Sequence, residues 1–224
     1  MSRLVIVGGS DAGISAARRA REIDPGIDID VVIADRFPSF SICGLPFYVS
    51  GEIPDWHKLA HRTADDIQRE GIRLLLEHRA ESINAPNRTV TIKGPGGKTA
   101  SMQYDKLILA TGAVSAQPKI RGIDLPGVFF LRWMDDSLTL RRYLDERRPA
   151  SAVIIGGGYI GMEMVDAFSF RGMHVTVIEY AETVMTTLDR ELGKKVEQAL
   201  RHHGVHVVTQ IPVTSIEQTG AALR

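Results

Sequence analysis

Two glycine-rich turns and one cysteine are the residues of this chain whose types and spacing could do chemistry. The first turn, Gly8-Gly9-Ser10-Asp11-Ala12-Gly13, follows the aliphatic run Leu4-Val5-Ile6-Val7. The second, Gly156-Gly157-Gly158-Tyr159-Ile160-Gly161, follows Val153-Ile154-Ile155. A glycine turn between a buried strand and a helix lets backbone approach a pyrophosphate, and the helix start offers N–H groups and a positive dipole end to that anion. In the second turn Gly156, Gly158 and Gly161 fill all three glycine positions, and Glu179 lies 18 residues past Gly161. A carboxylate there accepts both ribose hydroxyls of an adenosine and repels a 2′-phosphate, so NADH is expected rather than NADPH. The first turn carries Ser10 at the middle glycine position, with Gly8, Gly9 and Gly13 around it and Asp35 lying 22 residues past Gly13. Ala110-Thr111-Gly112 ends another apolar run and could close over a dinucleotide held there, so this turn is read as an FAD site. Two such sites in one chain point to electron transfer between them.

The cysteine, Cys43, stands in Ser39-Phe40-Ser41-Ile42-Cys43-Gly44-Leu45-Pro46. Cysteine often serves as a small buried apolar residue. This one sits among small polar residues just ahead of an expected helix start, a location that favours the thiolate. A thiolate near a flavin ring passes electrons to a disulfide, a persulfide or a peroxide. His57 and His61 have helical spacing but no third ligand, so they are read as exposed polar residues and no metal site is expected.

These residues need elements to position them. Residues 3–7 form a strand, residues 13–23 a helix with Ile14, Ala17, Ala20 and Ile23 on one face, and residues 28–34 a second strand tipped by Asp35. That is one βαβ unit. Thr63 caps a helix over residues 63–70, residues 89–92 and 99–103 form a hairpin, and residues 106–110 form a strand. Residues 117–127 read as a linker and residues 135–148 as a charged surface helix. A second βαβ unit follows, with a helix over residues 161–171, a strand over 174–178 tipped by Glu179, and a last strand over 205–209. The fold class is α/β, with two Rossmann-like dinucleotide-binding domains (the FAD/NAD(P)-binding fold). Residues 1–116 make the FAD-binding domain, 117–150 a linker and connecting helix, and 151–224 the NAD(P)H-binding domain.

Composition restricts the classes further. Lys plus Arg (27) equal Asp plus Glu (27), so no net field favours nucleic acid or an anionic membrane. No apolar run approaches the ~20 residues that span a bilayer. The chain enters a strand almost at once, so no signal peptide is read, and a single cysteine fits a reducing cytoplasm.

Taken together, the segments 8–13, 39–48, 104–112, 156–163 and 185–189 resemble the pyridine nucleotide-disulfide oxidoreductase superfamily, over essentially the whole chain. The similarity is to its single-cysteine branch of coenzyme A disulfide reductases, NADH oxidases, NADH peroxidases and NADH-dependent persulfide reductases. The resemblance implies that Gly8, Gly9, Ser10, Gly13, Asp35, Arg36, Thr111 and Gly112 hold FAD. It implies that Gly156, Gly158, Tyr159, Gly161 and Glu179 hold NADH, with Glu163 near the nicotinamide. Cys43 becomes the redox nucleophile, and a small-molecule thiol or disulfide its substrate. The oxidase and peroxidase branch places a histidine in the first turn where this chain has Asp11, which points to sulfur rather than oxygen. In the coenzyme A branch the substrate runs past the positions of Ser15, Arg19, Ser39 and Ile42. Ser39 and Arg19 suit that role, whereas Glu22 and Ile42 do not, and Arg18 and Arg21 are candidate substitutes. NADH oxidase or peroxidase chemistry is the alternative. Family members continue beyond the position of Arg224 with a flavin-binding Gly-Asp motif and a homodimerisation domain. Both nucleotide domains are therefore expected to be incomplete here, and a non-catalytic nucleotide-binding remnant is a further alternative.

Overall fold

Short apolar runs buried on both faces build the first sheet. In the computed structural model, which describes residues 2–220 and 222–223, the run behind the first glycine turn is strand β1 (Arg3–Val7), followed by helix α1 (Asp11–Ile23) and strand β2 (Asp28–Val32). The chain then forms α2 (Leu45–Ser50), α3 (Ala64–Arg69), β3 (Ile72–Leu75), β4 (Arg79–Asn84), β5 (Thr89–Lys93), β6 (Thr99–Gln103) and β7 (Lys106–Leu109). Two compact units result: residues 1–42 with 56–114, and residues 43–55 with 115–224. The segment 43–55 thus packs with the second unit, where the sequence reading ran the first domain through it unbroken.

In the first unit, β3-β2-β1-β7 form a parallel sheet. Leu4 and Ile6 face one side, where Ile14 and Ala17 of α1 and Ile67 of α3 cover them; Val5 and Val32 face the other, against Val90, Ile92 and Met102 of the antiparallel sheet β4-β5-β6. Opposite faces of one strand therefore feed two cores. Ile23 is a correction: expected on the buried face of α1, it is the last helical residue and is 69% exposed. The capping box of α3 is present, with Asp66 N–H donating to Thr63 Oγ1 (3.1 Å) and Thr63 N–H donating to Asp66 Oδ2 (3.0 Å). The helix starts differ too. Gly13 and Gly161 lie inside the first turns of their helices, because α1 begins at Asp11 and the helix after the second glycine turn begins at Tyr159.

The only buried carboxylate on the first sheet, among the described residues, is Asp30. Arg3 donates to its Oδ2 through Nε (2.7 Å), and Arg73, its register partner on β3, donates to Oδ1. Replacing Asp30 by alanine leaves two guanidiniums side by side. Their side chains are 36% and 57% exposed and so stay hydrated. The expected cost is about 1–3 kcal/mol, read as a lowered urea midpoint; an unchanged midpoint would contradict it.

In the second unit, α4 (Met134–Arg147) precedes β8 (Ser151–Ile155), α5 (Tyr159–Phe170), β9 (His174–Ile178), α6 (Arg190–His202) and β10 (His206–Val208). The strands form a parallel sheet in the order β10-β9-β8, and a short pairing of β11 (Gln218–Thr219) with β12 (Ala222–Leu223) follows. Val175 and Val177 of β9, Val207 of β10, Met164 and Phe168 of α5, and Leu140 and Leu144 of α4 share one core with Val49 of α2. Val153 and Ile155 on edge strand β8 are 58% and 47% exposed. Among the described residues, no helix is long and apolar enough to cross a membrane.

Candidate functional site

The first glycine turn is closed by its own backbone. Gly8 takes φ +114°, in the region that favours glycine, and its N–H donates to the Val32 carbonyl (2.9 Å). A Cβ on Gly8 would lie 2.0 Å from the Ala110 carbonyl oxygen, so the end of β7 is packed directly on the turn. A Cβ on Gly9 would meet Ile33 Cδ1 at 2.2 Å, and one on Gly13 would meet the Gly8 oxygen at 1.8 Å. Three glycines are thus required by packing alone.

Ser10 differs from them. Its carbonyl starts α1 by accepting from Ile14 N–H (3.0 Å), but its hydroxyl caps nothing, and Oγ is buried without a hydrogen-bond partner among the described residues. A buried orphan hydroxyl costs free energy unless a ligand satisfies it. Its place at the start of a 13-residue helix is where a pyrophosphate would do so. Asp35, half-buried past β2, accepts the Phe37 N–H on Oδ1 (2.8 Å), and the exposed Arg36 guanidinium lies 4.9 Å from the Phe37 ring. Thr111 and Gly112 are exposed just beyond β7. The residues present fit a dinucleotide.

Beside this turn lies a contact that sequence reading did not anticipate. Ser39 is buried with φ +54°; its N–H donates to the Gly9 carbonyl (2.9 Å) and its own carbonyl accepts from His61 N–H (2.7 Å). That strand-like contact brings His61 Nε2 to 3.8 Å from Asp11 Oδ1. Of the other residues expected along a substrate track, Ser15 and Arg19 lie one turn apart on α1. Ser15 is exposed on α1, Ile42 is half-buried, and Arg19 is paired with Glu22 at 2.8 Å. The candidate substitutes are engaged elsewhere: Arg18 bonds Glu70 (2.7 Å), and Arg21 bonds the Pro25 and Gly71 carbonyls (2.7 Å each).

The second turn repeats the geometry of the first. Gly156 takes φ +105° and donates to the Ile178 carbonyl (2.9 Å), and a Cβ on Gly161 would sit 2.1 Å from the Gly156 oxygen. Cβ atoms on Gly156 and Gly158 would meet nothing within 4 Å, so this face of the turn is an open cradle. Glu179 folds back onto it. Its Oε2 accepts from Gly157 N–H (2.6 Å) and its Oε1 from Ala181 N–H (2.8 Å). Both oxygens keep further lone pairs, so the carboxylate is fixed in place and still able to accept ribose hydroxyls. Met185, at φ +53°, closes the loop by donating its N–H to the Gly157 carbonyl (2.7 Å). Tyr159 is 59% exposed at the helix start, and Glu163 is exposed one turn further along. Gly157, Ala181 and Met185 were not singled out as functional residues, because their parts are played by backbone groups that side-chain identity does not reveal.

Cys43 is exposed and lies in the 3-10 turn Ile42–Gly44, immediately before α2. Helix α2 is buried through Leu45, Tyr48 and Val49, so the cysteine is presented from a firmly seated element. Among the described residues, no group of three or more His, Cys, Asp or Glu side chains gathers in a metal-holding arrangement.

Comparison with known proteins places these features in context. The family model for pyridine nucleotide-disulphide oxidoreductases matches residues 2–224. An NAD(P)H sulfur oxidoreductase (CoA-dependent) of Pyrococcus abyssi is 37% identical over 202 residues, which are 89% of this chain and 44% of that protein. The structure of an NAD-dependent persulfide reductase from A. fulgidus matches with a TM-score of 0.94 and 36% identity, covering 99% of this chain and 42% of that one. A water-forming NADH oxidase from Lactobacillus brevis, bound to NADH, matches with a TM-score of 0.93 and 27% identity, covering 100% of this chain and 50% of that one. The chain spans about half the length of these relatives, or less.

Proposed function

Because this chain belongs to the pyridine nucleotide-disulphide oxidoreductase family, we propose that it binds FAD at the first glycine turn and NADH at the second, and that Cys43 is the sulfur nucleophile of a disulfide or persulfide reductase. The observation that carries this reading is the doubled turn. In each, the third glycine is pressed onto the carbonyl of the first, at the start of a helix (1.8 Å for a Cβ on Gly13, 2.1 Å for one on Gly161). One exposed cysteine accompanies the pair.

The residues divide the work. Gly8, Gly9, Ser10 and Gly13 bring the start of α1 against an FAD pyrophosphate, with Asp35, Arg36, Thr111 and Gly112 around the rest of that cofactor. FAD supplies two-electron acceptance from a reduced nicotinamide and delivery to sulfur. Gly156, Gly158, Tyr159 and Gly161 cradle NADH, Glu179 selects its ribose, and Glu163 lies toward the nicotinamide end. The Cys43 thiolate attacks one sulfur of the substrate, forming a mixed disulfide and releasing the other half as a thiol. The whole reaction, NADH + H⁺ + RSSR → NAD⁺ + 2 RSH, balances with the two electrons of the hydride. Ser15, Arg19, Ser39 and Ile42 are the proposed substrate-side positions; CoA disulfide is the first substrate class to try, and a low-molecular-weight persulfide the second. In this reading the reaction is cytoplasmic, and a homodimer is expected of the full-length members of the family. The assay is NADH consumption with each sulfur substrate under nitrogen; no sulfur-dependent consumption by the FAD-loaded protein overturns the proposal.

One observation favours a second reading, as an NADH oxidase. Asp11 stands where the oxidase branch has histidine, yet the His61 imidazole lies 3.8 Å from the Asp11 carboxylate and can serve the same turn. Oxygen uptake stoichiometric with NADH, in the absence of any sulfur substrate, would establish it.

Nucleotide choice follows from Glu179. Replacing it by glutamine removes the charge that repels a 2′-phosphate, although the backbone acceptor contacts of the side chain are kept in part. The preference for NADH over NADPH, measured as the ratio of kcat/KM values, is expected to fall about tenfold, roughly 1.4 kcal/mol. An unchanged ratio would remove Glu179 from ribose selection.

A further inference from the structure

The cysteine turn opens a helix of only six residues, Leu45–Ser50. Such a helix has more terminal carbonyls without an intrahelical partner than internal hydrogen bonds and does not hold its own shape. The carbonyl of Phe47 accepts from Ile53 N–H (3.0 Å) and Ser50 Oγ (2.9 Å), both local. The Tyr48 carbonyl also accepts locally, from Gly51 N–H (3.2 Å), and both it and the next carbonyl are bonded from far along the chain. Arg141, on α4, donates to the Tyr48 carbonyl (2.6 Å), and Arg171, capping α5, donates to the Val49 carbonyl (3.0 Å). One carboxylate joins the two arginines: Asp145 Oδ2 accepts from Arg141 Nε (2.7 Å) and Oδ1 from Arg171 (2.5 Å). The Arg141 guanidinium also lies 5.3 Å from the Tyr48 ring.

We propose that Asp145 is a positioning residue for Cys43: through Arg141 and Arg171 it clamps the last carbonyls of α2 and so fixes the turn that carries the thiol. The inference rests on the reading of Cys43 as the redox residue. Two guanidiniums facing the same helix end repel each other, and without a shared carboxylate between them neither is held at its carbonyl. Burial alone tends to raise the Asp145 carboxyl, but hydrogen bonds from Arg171 and Arg141 outweigh it and hold the group below the ordinary carboxylate range. The clamp is therefore charged at neutral pH. Asp145 touches no reacting atom.

Cys43 is the single cysteine of the sequence, so a nitroxide label on it in the full chain reports this turn alone. In Asp145→Ala the label's EPR lines are expected to narrow, with a rotational correlation time at least about threefold shorter than in the parent. Arg171→Ala is expected to act in the same direction. Asp145→Glu, which keeps a carboxylate able to reach both arginines, is expected to restore the parent line shape. Circular dichroism checks that each variant is folded; if Asp145→Ala is not, Asp145→Asn carries the same expectation. A parent-like line shape in the folded alanine or asparagine variant overturns the proposal, as does mobility that glutamate fails to reverse. The line shape is independent of electron transfer, so it separates failure of the clamp from failure of the redox assignment, which turnover in a Cys43→Ser variant tests.

Discussion

Replacing Cys43 by serine is expected to lower NADH-driven disulfide or persulfide reduction at least about a thousandfold, while NADH still reduces the bound flavin at the parent rate. Serine keeps the size of the side chain, and the position is exposed, so neither packing nor fold is disturbed. What disappears is the nucleophile. A hydroxyl has far too little of its anionic form at neutral pH and forms no mixed disulfide. The chain offers no second thiol to take over, because it contains no other cysteine. Stopped-flow measurement of flavin reduction, paired with steady-state turnover, separates the two half-reactions. Equal turnover in the serine variant would remove Cys43 from the mechanism.

The same small substitution is expected to fail in opposite ways at two glycines of the second turn. In Gly161→Ala the new Cβ would lie 2.1 Å from the Gly156 oxygen, a backbone atom that cannot swing aside. The start of α5 must shift off β8, with an expected loss of about 3 kcal/mol of stability and of NADH binding with it. In Gly158→Ala the Cβ meets nothing within 4 Å, and φ is an ordinary −80°. The unfolding midpoint is expected to stay within about 0.5 kcal/mol of the parent. NADH affinity nevertheless falls at least about tenfold, because the methyl group occupies the space into which the pyrophosphate fits. Urea unfolding and NADH titration of both variants check the pair. A Gly158→Ala protein that binds NADH as the parent does would show that the cradle is not the nucleotide site.

Much of this arrangement was legible in the residues. Strand, glycine turn, helix and acidic tip are local and follow from spacing, so both turns stand where the pattern predicts, with the helices behind them starting two residues earlier, at Asp11 and Tyr159. The start of α2 at Leu45 was legible for the same reason, as was the capping box at Thr63 and Asp66. Long-range placements were not. Nothing in the sequence pairs Asp145 with Arg171, seats residues 43–55 with the second unit, or carries His61 back to Asp11, because each depends on how distant segments meet. The arginine-rich helix α4 illustrates the difference. Its Arg141-Arg142 pair reads as a solvated face, yet Arg141 reaches the Tyr48 carbonyl, 93 positions away in the sequence. The orphan hydroxyl of Ser10 was likewise invisible, since a serine at that position ordinarily caps its helix.

The measurement that bears most directly on the central claim is the visible absorption spectrum of the protein after incubation with FAD and gel filtration, repeated under nitrogen with one equivalent of NADH. Two occupied dinucleotide sites working together predict that the flavin bands stay with the protein and bleach on adding NADH. A protein that elutes colourless, or a yellow one whose flavin NADH leaves oxidised, would contradict the account.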